Sequence, residues 1–250
     1  MLARGLALIR DGILGLAYPS DCRLCADAIE SAGDGVVCAR CWTDASITHL
    51  FDTRSVCFKC GAPMPRSSGP AVFAARTCGW CADLPLAAAR ACGAYGGALE
   101  ASILFLKSNP HICSRLAAII ESTYHRDNQL LTADFIVPIP LHRSRQRERG
   151  FNQAELIARV VRSSSHIPIA RKLIARTKQT RRHRAGMDNM DRARSVERAF
   201  SVPDSTRVIG ASILLIDDIF TTGSTLGEAA KSLRDAGARE VKALTIARAV

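Results

Sequence analysis

Two adjacent carboxylates stand at the end of an apolar stretch in the second half of the sequence. They are Asp217 and Asp218, and residues 213–216, which precede them, are typical of a buried strand. Open α/β folds bind their ligands at the carboxyl edge of the sheet, where such a strand ends. Carboxylates at that edge can accept hydrogen bonds from sugar hydroxyls and help to hold a hydrated Mg²⁺ ion. The segment therefore favours a site for a hydroxylated ligand that carries a metal ion.

A run of hydroxyl residues follows the carboxylates and leads into a predicted helix. Such a turn exposes backbone N–H groups at a helix N-terminus, where the helix dipole favours an anion. Gly223 has no side chain that would keep a phosphate away from the backbone. Taken singly, the carboxylates also fit a helix cap and the Thr-Thr-Gly sequence also fits a plain turn. Their order favours a phosphate cradle made of Thr221, Thr222, Gly223, Ser224 and Thr225.

Four arginines alternate with other residues after a second apolar stretch. They are Arg143, Arg145, Arg147 and Arg149. Arginines at every second position suit an exposed loop that reaches for a polyphosphate, because guanidinium groups bind phosphate oxygens through paired donors. The alternative interpretation is a basic turn that contacts only solvent. We expect the loop that binds phosphate.

Eight of the ten cysteines form four C-x-x-C pairs. Two such turns make a closed tetrahedral shell of four thiolates with no open position for chemistry, so the spacing predicts two structural zinc ions. Pairing in chain order gives one site from Cys22, Cys25, Cys38 and Cys41 and the other from Cys57, Cys60, Cys78 and Cys81. An interleaved pairing stays open, as do an iron–sulfur cluster and a redox C-x-x-C motif.

The cellular compartment is predicted from the N-terminal segment. Charged residues interrupt the apolar spacing of residues 2–18, so we expect no signal peptide, no membrane span and a cytoplasmic protein. The reducing cytoplasm disfavours disulfides and leaves cysteines available as metal ligands. Cys92 and Cys113 fall outside the C-x-x-C pattern, and we expect both to be buried as small apolar residues.

Strand-like and helix-like segments alternate from Ala94 onward, which is typical of a doubly wound α/β fold with a mainly parallel sheet. A short strand-like run ends at Tyr95. The other predicted strands cover residues 135–137, 213–216 and 241–246. The predicted helices cover residues 99–107, 116–124, 151–161 and 224–236. The predicted phosphate cradle would lie at the N-terminus of the last of these helices, residues 224–236.

Cysteine usage and charge divide the chain of 250 residues into unequal parts. We predict an amphipathic helix over residues 1–20, a zinc-binding module over 21–92 and the α/β domain over 93–250. The net charge of +11 comes almost wholly from the last part, and ten Arg or Lys residues face three acids between residues 171 and 198. Such clustering fits a polyphosphate substrate, a nucleic-acid backbone or a solvated face.

A family resemblance rests on residues 137–154, which read Val-Pro-Ile-Pro-Leu-His, then Arg-Ser-Arg-Gln-Arg-Glu, and then Arg-Gly-Phe-Asn-Gln-Ala. With the C-x-x-C pairs before it and residues 213–225 after it, the chain resembles the ComF family. Proteins of this family join a double zinc ribbon to a type I phosphoribosyltransferase domain. Tyr95 and Lys107 also resemble a Tyr and a Lys that recur in the opening strand and helix of the family's phosphoribosyltransferase domain.

The resemblance implies that the chain binds phosphoribosyl pyrophosphate (PRPP) with Mg²⁺ and transfers its phosphoribosyl group. The 5-phosphate is expected in the cradle at 221–225 and the ribose hydroxyls at Asp217 and Asp218. The pyrophosphate is expected at the arginines of 143–149. By analogy with the fold, the acceptor is a nucleobase or an amine. Phe151 and Gln153 are expected to pack and cap the following helix rather than to contact substrate.

The family's link to natural DNA uptake implies single-stranded DNA or proteins of the competence machinery as partners. The alternative function is a non-catalytic adaptor that senses PRPP or binds single-stranded DNA. Residues 171–198 contain no aromatic side chain, so DNA binding there would rest on phosphate contacts. The chain departs from the family pattern at 180–183 and 195–196, in a segment that closes over the reacting centre in phosphoribosyltransferases.

Overall fold

The computed structural model describes residues 21–43, 56–64, 77–178 and 198–249. The helix predicted over residues 1–20 lies outside them. The departures from the family pattern at 180–183 and 195–196 also lie outside them. Among the described residues, no helix has the length and apolarity that a membrane crossing requires.

Four parallel strands form the central sheet. Their order across the sheet is β1 (Ala88–Ala94), β6 (Glu240–Arg248), β5 (Ser212–Phe220) and β2 (Phe135–Pro138). A separate antiparallel pair consists of β3 (Ala175–Arg176), which lies near the start of the basic stretch, and β4 (Phe200–Ser201), which follows the stretch. The predicted parallel α/β fold is confirmed.

The central position of β5 explains its continuous apolar run. Residues Ile213 and Ile216 and the two leucines between them have no exposed surface, because neighbouring strands and helices cover both edges and both faces. The predicted strands are confirmed, but β5 extends to Phe220, which pairs with Arg248. The two carboxylates therefore lie within the last pairs of β5 and not beyond its end.

Helices cover both faces of the sheet. In chain order they are α1 (Ala39–Trp42), α2 (Gly97–Leu106), α3 (Ser114–Arg126), α4 (Arg143–Arg149), α5 (Gln153–Ser165) and α6 (Ser224–Asp235). Leu214 packs in one core cluster with residues of α2, α3 and α5, and Leu215 packs in another with residues of α6. Successive side chains of a strand point to opposite faces, so β5 anchors both layers. The four predicted helices are confirmed, with shifted ends.

The predicted boundary between residues 92 and 93 falls inside β1. This strand pairs with β6 from Ala88 onward, and the N–H of Ala89 donates to the carbonyl of Lys59 at 2.7 Å. The first strand of the sheet thus continues directly from the cysteine-rich region. The division into residues 21–92 and 93–250 stays a prediction.

Candidate functional site

A cavity of about 760 Å³ opens where β2 and β5 end. Its walls come from the end of β5, the residues after β2, helix α4, the first turn of α5 and β3. Ligand pockets in proteins commonly have volumes of about 300–1,000 Å³. The carboxyl edge of the sheet therefore carries a cavity large enough for a sugar phosphate, in the place where open α/β folds bind ligands.

Both predicted carboxylates line this cavity. Asp217 and Asp218 are partly buried, and the backbone N–H of Asp218 donates to Oδ1 of Asp217 at 2.9 Å. Burial raises the pKa of Asp217 well above its ordinary value, and the neighbouring Asp218 raises it further. The backbone hydrogen bond and the Arg176 charge oppose this shift without cancelling it. Burial and like charge therefore disfavour the ionised form of Asp217, and a cation beside it would favour that form.

The predicted cradle forms a turn at the N-terminus of α6, and two of its five residues line the cavity. These two are Thr221 and Thr225. Within the turn, the hydroxyls of Thr222 and Ser224 lie 2.7 Å apart, and the N–H of Ser224 contacts Oγ1 of Thr222 at 3.4 Å. The turn thus uses part of its own hydrogen-bonding capacity internally and presents Thr221 and Thr225 to a ligand.

The backbone conformation and the packing at Gly223 give a reason for glycine besides the expected approach of a phosphate. Its φ of 76° lies in the left-handed region, where side chains are strained. A Cβ atom there would stand 2.9 Å from Cζ of Phe220 and 3.2 Å from Cδ1 of Leu84. The structure therefore requires glycine because of backbone conformation and close packing beneath the turn.

The arginine segment is helix α4, so the prediction of an exposed loop is wrong. Nδ1 of His142 accepts from the N–H of Ser144 at the start of the helix, and Gly150 ends it with a φ of 77°. On a helix, residues four apart share a face, whereas residues two apart do not. Arg145 and Arg149 accordingly line the cavity. Arg143 and Arg147 are not among its lining residues.

Two further cations line the cavity, and residue spacing did not identify either as a site residue. Arg176, on β3, is partly buried, and burial lowers its pKa while the nearby Asp217 carboxyl opposes the shift. Lys107 follows directly after α2. Arg176 belongs to the basic stretch noted in the sequence, and Lys107 had been noted only for the family resemblance. The fold brings them to the carboxylates from distant positions in the chain.

Gln153 also lines the cavity, contrary to expectation. The capping role belongs to Asn152, whose Oδ1 accepts from the N–H of Ala154 at 3.0 Å and whose Nδ2 donates to the carbonyl of Ile139 at 2.9 Å. Gln153 is only 3% exposed. Its Nε2 atom is buried and has no hydrogen-bond partner among the residues that the structure describes.

The eight paired cysteines form two groups in chain order. In each group the four Sγ atoms lie within 4.8 Å of one another, which confirms sequential pairing. Pairs of sulfurs stand 3.5 to 3.6 Å apart, at Cys25–Cys38, Cys57–Cys81 and Cys60–Cys78. A tetrahedral zinc ion with Zn–S bonds of about 2.3 Å separates its sulfurs by about 3.8 Å. Both groups therefore fit zinc, and we call them the first and second zinc centres.

Backbone donors prepare one thiol of each centre to become a thiolate. The N–H of Cys38 contacts Sγ of Cys22 at 3.3 Å, and the N–H of Cys78 contacts Sγ of Cys57 at 3.2 Å. Burial opposes ionisation at both sulfurs, but N–H donors outweigh it and lower the pKa of Cys22 and that of Cys57 to about 6. Cys92 is fully buried, as predicted, and burial raises its pKa to about 12.

The second zinc centre contacts the residues beneath the cradle. Nη1 of Arg248, at the end of β6, donates to the carbonyl of Cys60 at 2.7 Å. The same guanidinium group lies 4.3 Å from the ring centroid of Phe220. Trp80, in the last C-x-x-C turn, lies 6.4 Å from that ring. The centre thus touches the segment that leads into the candidate site.

Two protein-family models match the chain. The model of the double zinc ribbon domain matches residues 13–94, and the model of the phosphoribosyl transferase domain matches residues 148–249. The first match contains both zinc centres, and the second contains the carboxylates and the cradle turn.

Similar proteins include Competence protein F of Haemophilus influenzae, which is 35% identical over 137 residues. This match covers 54% of the chain and 59% of that protein, and a 36% identical match to Competence protein ComFC of Bacillus subtilis covers 44% of its length. The chain thus spans about half of these two relatives. DNA utilization protein YhgH of Escherichia coli is 28% identical over 240 residues, which cover 93% of the chain and 99% of that protein.

Among solved structures, glutamine PRPP amidotransferase from B. subtilis matches with a TM-score of 0.34 and 19% identity, over 51% of the chain and 24% of that protein. A purine phosphoribosyltransferase from Pyrococcus horikoshii matches with a TM-score of 0.29 and 18% identity, over 52% and 68%. Similarity at these values adds nothing to the family matches.

Proposed function

The chain belongs to the ComF family, with a double zinc ribbon ahead of a phosphoribosyltransferase domain, and we propose that it is a Mg²⁺-dependent enzyme that transfers the phosphoribosyl group of PRPP. The printed names of its relatives refer to competence and DNA utilization, and we extend that setting to this chain. We place it in the cytoplasm, where reducing conditions keep its cysteines available for zinc.

The observation that carries this proposal is that carboxylates, hydroxyls and cations share one cavity. Thr221 and Thr225 stand at the N-terminus of α6, which suits the 5-phosphate. Asp217 and Asp218 suit the ribose hydroxyls. The cations on α4 and β3 suit the pyrophosphate, because guanidinium groups pair with phosphate oxygens.

The reaction breaks the bond between the anomeric carbon and the pyrophosphate oxygen, which keeps the electron pair. Positive charge grows on the ribose ring and negative charge grows on the leaving group. Arg145 and Arg149 stabilise the leaving group, and a lone pair of the acceptor then forms the new bond to the anomeric carbon. Mg²⁺ held with PRPP at the carboxylates would neutralise phosphate charge.

Calorimetry with PRPP and Mg²⁺, followed by a pyrophosphate-release assay, tests the proposal. We expect Asp217→Asn and Asp218→Asn to lose turnover, and the control Asp235→Asn, at the exposed end of α6, to keep it. Arg149→Gln should weaken PRPP binding more than Arg147→Gln, because Arg149 lines the cavity and Arg147 is not among its lining residues. Wild-type rates in both carboxylate variants would overturn the proposed role of the carboxylates.

A second candidate function is the binding of single-stranded DNA by an adaptor that does not turn over PRPP. Besides the basic stretch at 171–198, the second zinc centre exposes Phe58 and Trp80, at 46% and 50%, and aromatic surfaces can stack on bases. Binding that rests on phosphate contacts should weaken steeply between about 50 and 200 mM salt. DNA binding together with no PRPP binding would favour the adaptor over the enzyme.

A further inference from the structure

The first residue of α5 carries a polar group that the described protein does not satisfy. Gln153 is 3% exposed, lines the 760 Å³ cavity and has a buried Nε2 atom without a hydrogen-bond partner among the described residues. Burying an amide donor without a partner lowers stability, so native proteins rarely keep one unless it is used. A ligand in the cavity would supply the hydrogen-bond acceptor that this amide lacks.

A structural role does not account for Gln153. Asn152 caps the helix, and its amide also ties the helix start to the carbonyl of Ile139. Ala154 and Ile157 belong to the core cluster and anchor α5 through apolar contacts. The helix would keep its cap and its packing if the amide of Gln153 were absent.

The surroundings of this amide select an anion. It lies at the N-terminus of a helix of 13 residues, where the partial positive charge of the helix favours negative groups. Arg145 and Arg149 line the same cavity from α4. The cradle turn lies at the N-terminus of α6, so two helix N-termini face one cavity. A ligand with anionic groups at both ends fits this arrangement.

We propose that Nε2 of Gln153 donates a hydrogen bond to an oxygen of the pyrophosphate group of PRPP, and that Gln153 thereby helps to hold the leaving group. This inference rests on the proposed function. When the bond to the anomeric carbon breaks, the pyrophosphate gains the electron pair and its negative charge grows. A donor fixed beside that charge becomes more effective in the transition state. Gln153 should therefore influence turnover as well as binding.

The experiment separates the two ends of the ligand. Inorganic pyrophosphate with Mg²⁺ probes the Gln153 end, and ribose 5-phosphate probes the cradle. We expect Gln153→Leu to weaken pyrophosphate binding about tenfold and Gln153→Glu about a hundredfold, because a hydrogen bond to a charged group is lost in one and a like charge is added in the other. Both variants should bind ribose 5-phosphate like the wild type. Thr225→Val should show the opposite pattern.

Thermal unfolding of the ligand-free proteins distinguishes binding from a structural role. Gln153→Leu should melt at the wild-type temperature or above, because it removes an unsatisfied buried amide. Asn152→Ala should melt lower, because it removes the cap. A lower melting temperature for both Gln153 variants, or unchanged pyrophosphate binding, would overturn the inference. If the wild type binds neither probe, the proposed function fails instead.

Discussion

The first zinc centre packs against helices α2 and α3, which cover one face of the sheet, whereas the second zinc centre packs against the end of β5. Near the first centre, Asp34 forms an ion pair with Arg115 of α3 at 2.5 Å, and its carbonyl accepts from Trp42 at 2.9 Å. Near the second, Arg248 joins Cys60 to the ring of Phe220. Two centres with the same four-cysteine ligand set can therefore have different roles, depending on which part of the domain their loops contact. We infer that the first centre stabilises the fold and that the second also supports the cradle.

The strongest test removes one ligand from each centre. Cys57→Ser and Cys38→Ser should each lose one zinc ion per chain, because a tetrahedral site of four thiolates tolerates no missing ligand well. We expect Cys57→Ser to weaken PRPP binding at least about tenfold, which corresponds to about 1.4 kcal/mol. Cys38→Ser should leave it nearly unchanged. Zinc analysis and calorimetry give both quantities, and an equal loss of affinity in the two variants would break the comparison.

The packing beneath the cradle gives the next largest effect. In Gly223→Ala, the alanine must adopt a left-handed backbone conformation, and its methyl group must also displace Phe220. We expect the free energy of unfolding to fall by about 3 kcal/mol, from about 1–2 for the conformation and about 1–2 for overpacking. Gly150→Ala is the matched control, since Gly150 has a φ of 77°, against 76° at Gly223, and an added Cβ would meet no atom within 4 Å. Chemical denaturation should show a loss of only about 1–2 kcal/mol there, because the conformational cost is the same and no overpacking is added.

Much of the fold could be predicted because its signals are local. The apolar run of β5 identifies a buried strand by itself, and the hydroxyl-rich turn that follows indicates a helix start at Ser224. The C-x-x-C spacing likewise determines zinc binding within short segments. Carboxyl ends of parallel strands meet at one edge, so the position of Asp217 also followed from the fold class.

The other features of the site depend on helix caps and on contacts between distant segments, which residue spacing does not determine. Alternating arginines suggested an exposed loop, but arginine favours helices, and the caps at His142 and Gly150 define one. The roles of Arg176 and Gln153 depend on which segments the sheet brings together across the chain. The contact between Arg248 and Cys60 joins residues 188 positions apart, so no local pattern indicates it.

The arginines beside the two centres offer a smaller effect. Arg248→Met removes a charged hydrogen bond to the Cys60 carbonyl and the contact with Phe220, and should lower stability by about 2–3 kcal/mol. Arg115→Met removes an ion pair whose arginine is 41% exposed and should cost about 1 kcal/mol. PRPP affinity should fall only in Arg248→Met. A similar fall in Arg115→Met would show that the first centre also supports the cradle.

The third positions of two C-x-x-C turns give the finest test. Trp80, in the second centre, is half-exposed yet lies 6.4 Å from Phe220 and 5.7 Å from the Arg248 guanidinium. Leu24 holds the third position of the first C-x-x-C turn of the first centre and is 46% exposed. Trp80→Leu should cost about 1 kcal/mol, since aromatic pairs contribute about 0.5–1.5 kcal/mol beyond their burial. Leu24→Ala should stay within about 0.5 kcal/mol, as exposed positions usually do.

The ligand decides what the Trp80 result means. If Trp80 supports the cradle through Phe220, added PRPP and Mg²⁺ should raise the melting temperature of Trp80→Leu less than that of the wild type, because stabilisation by a ligand follows its affinity. Leu24→Ala should respond like the wild type. An equal response in all three proteins would mean that the second centre contacts the cradle without supporting it, and that the two centres differ only in position.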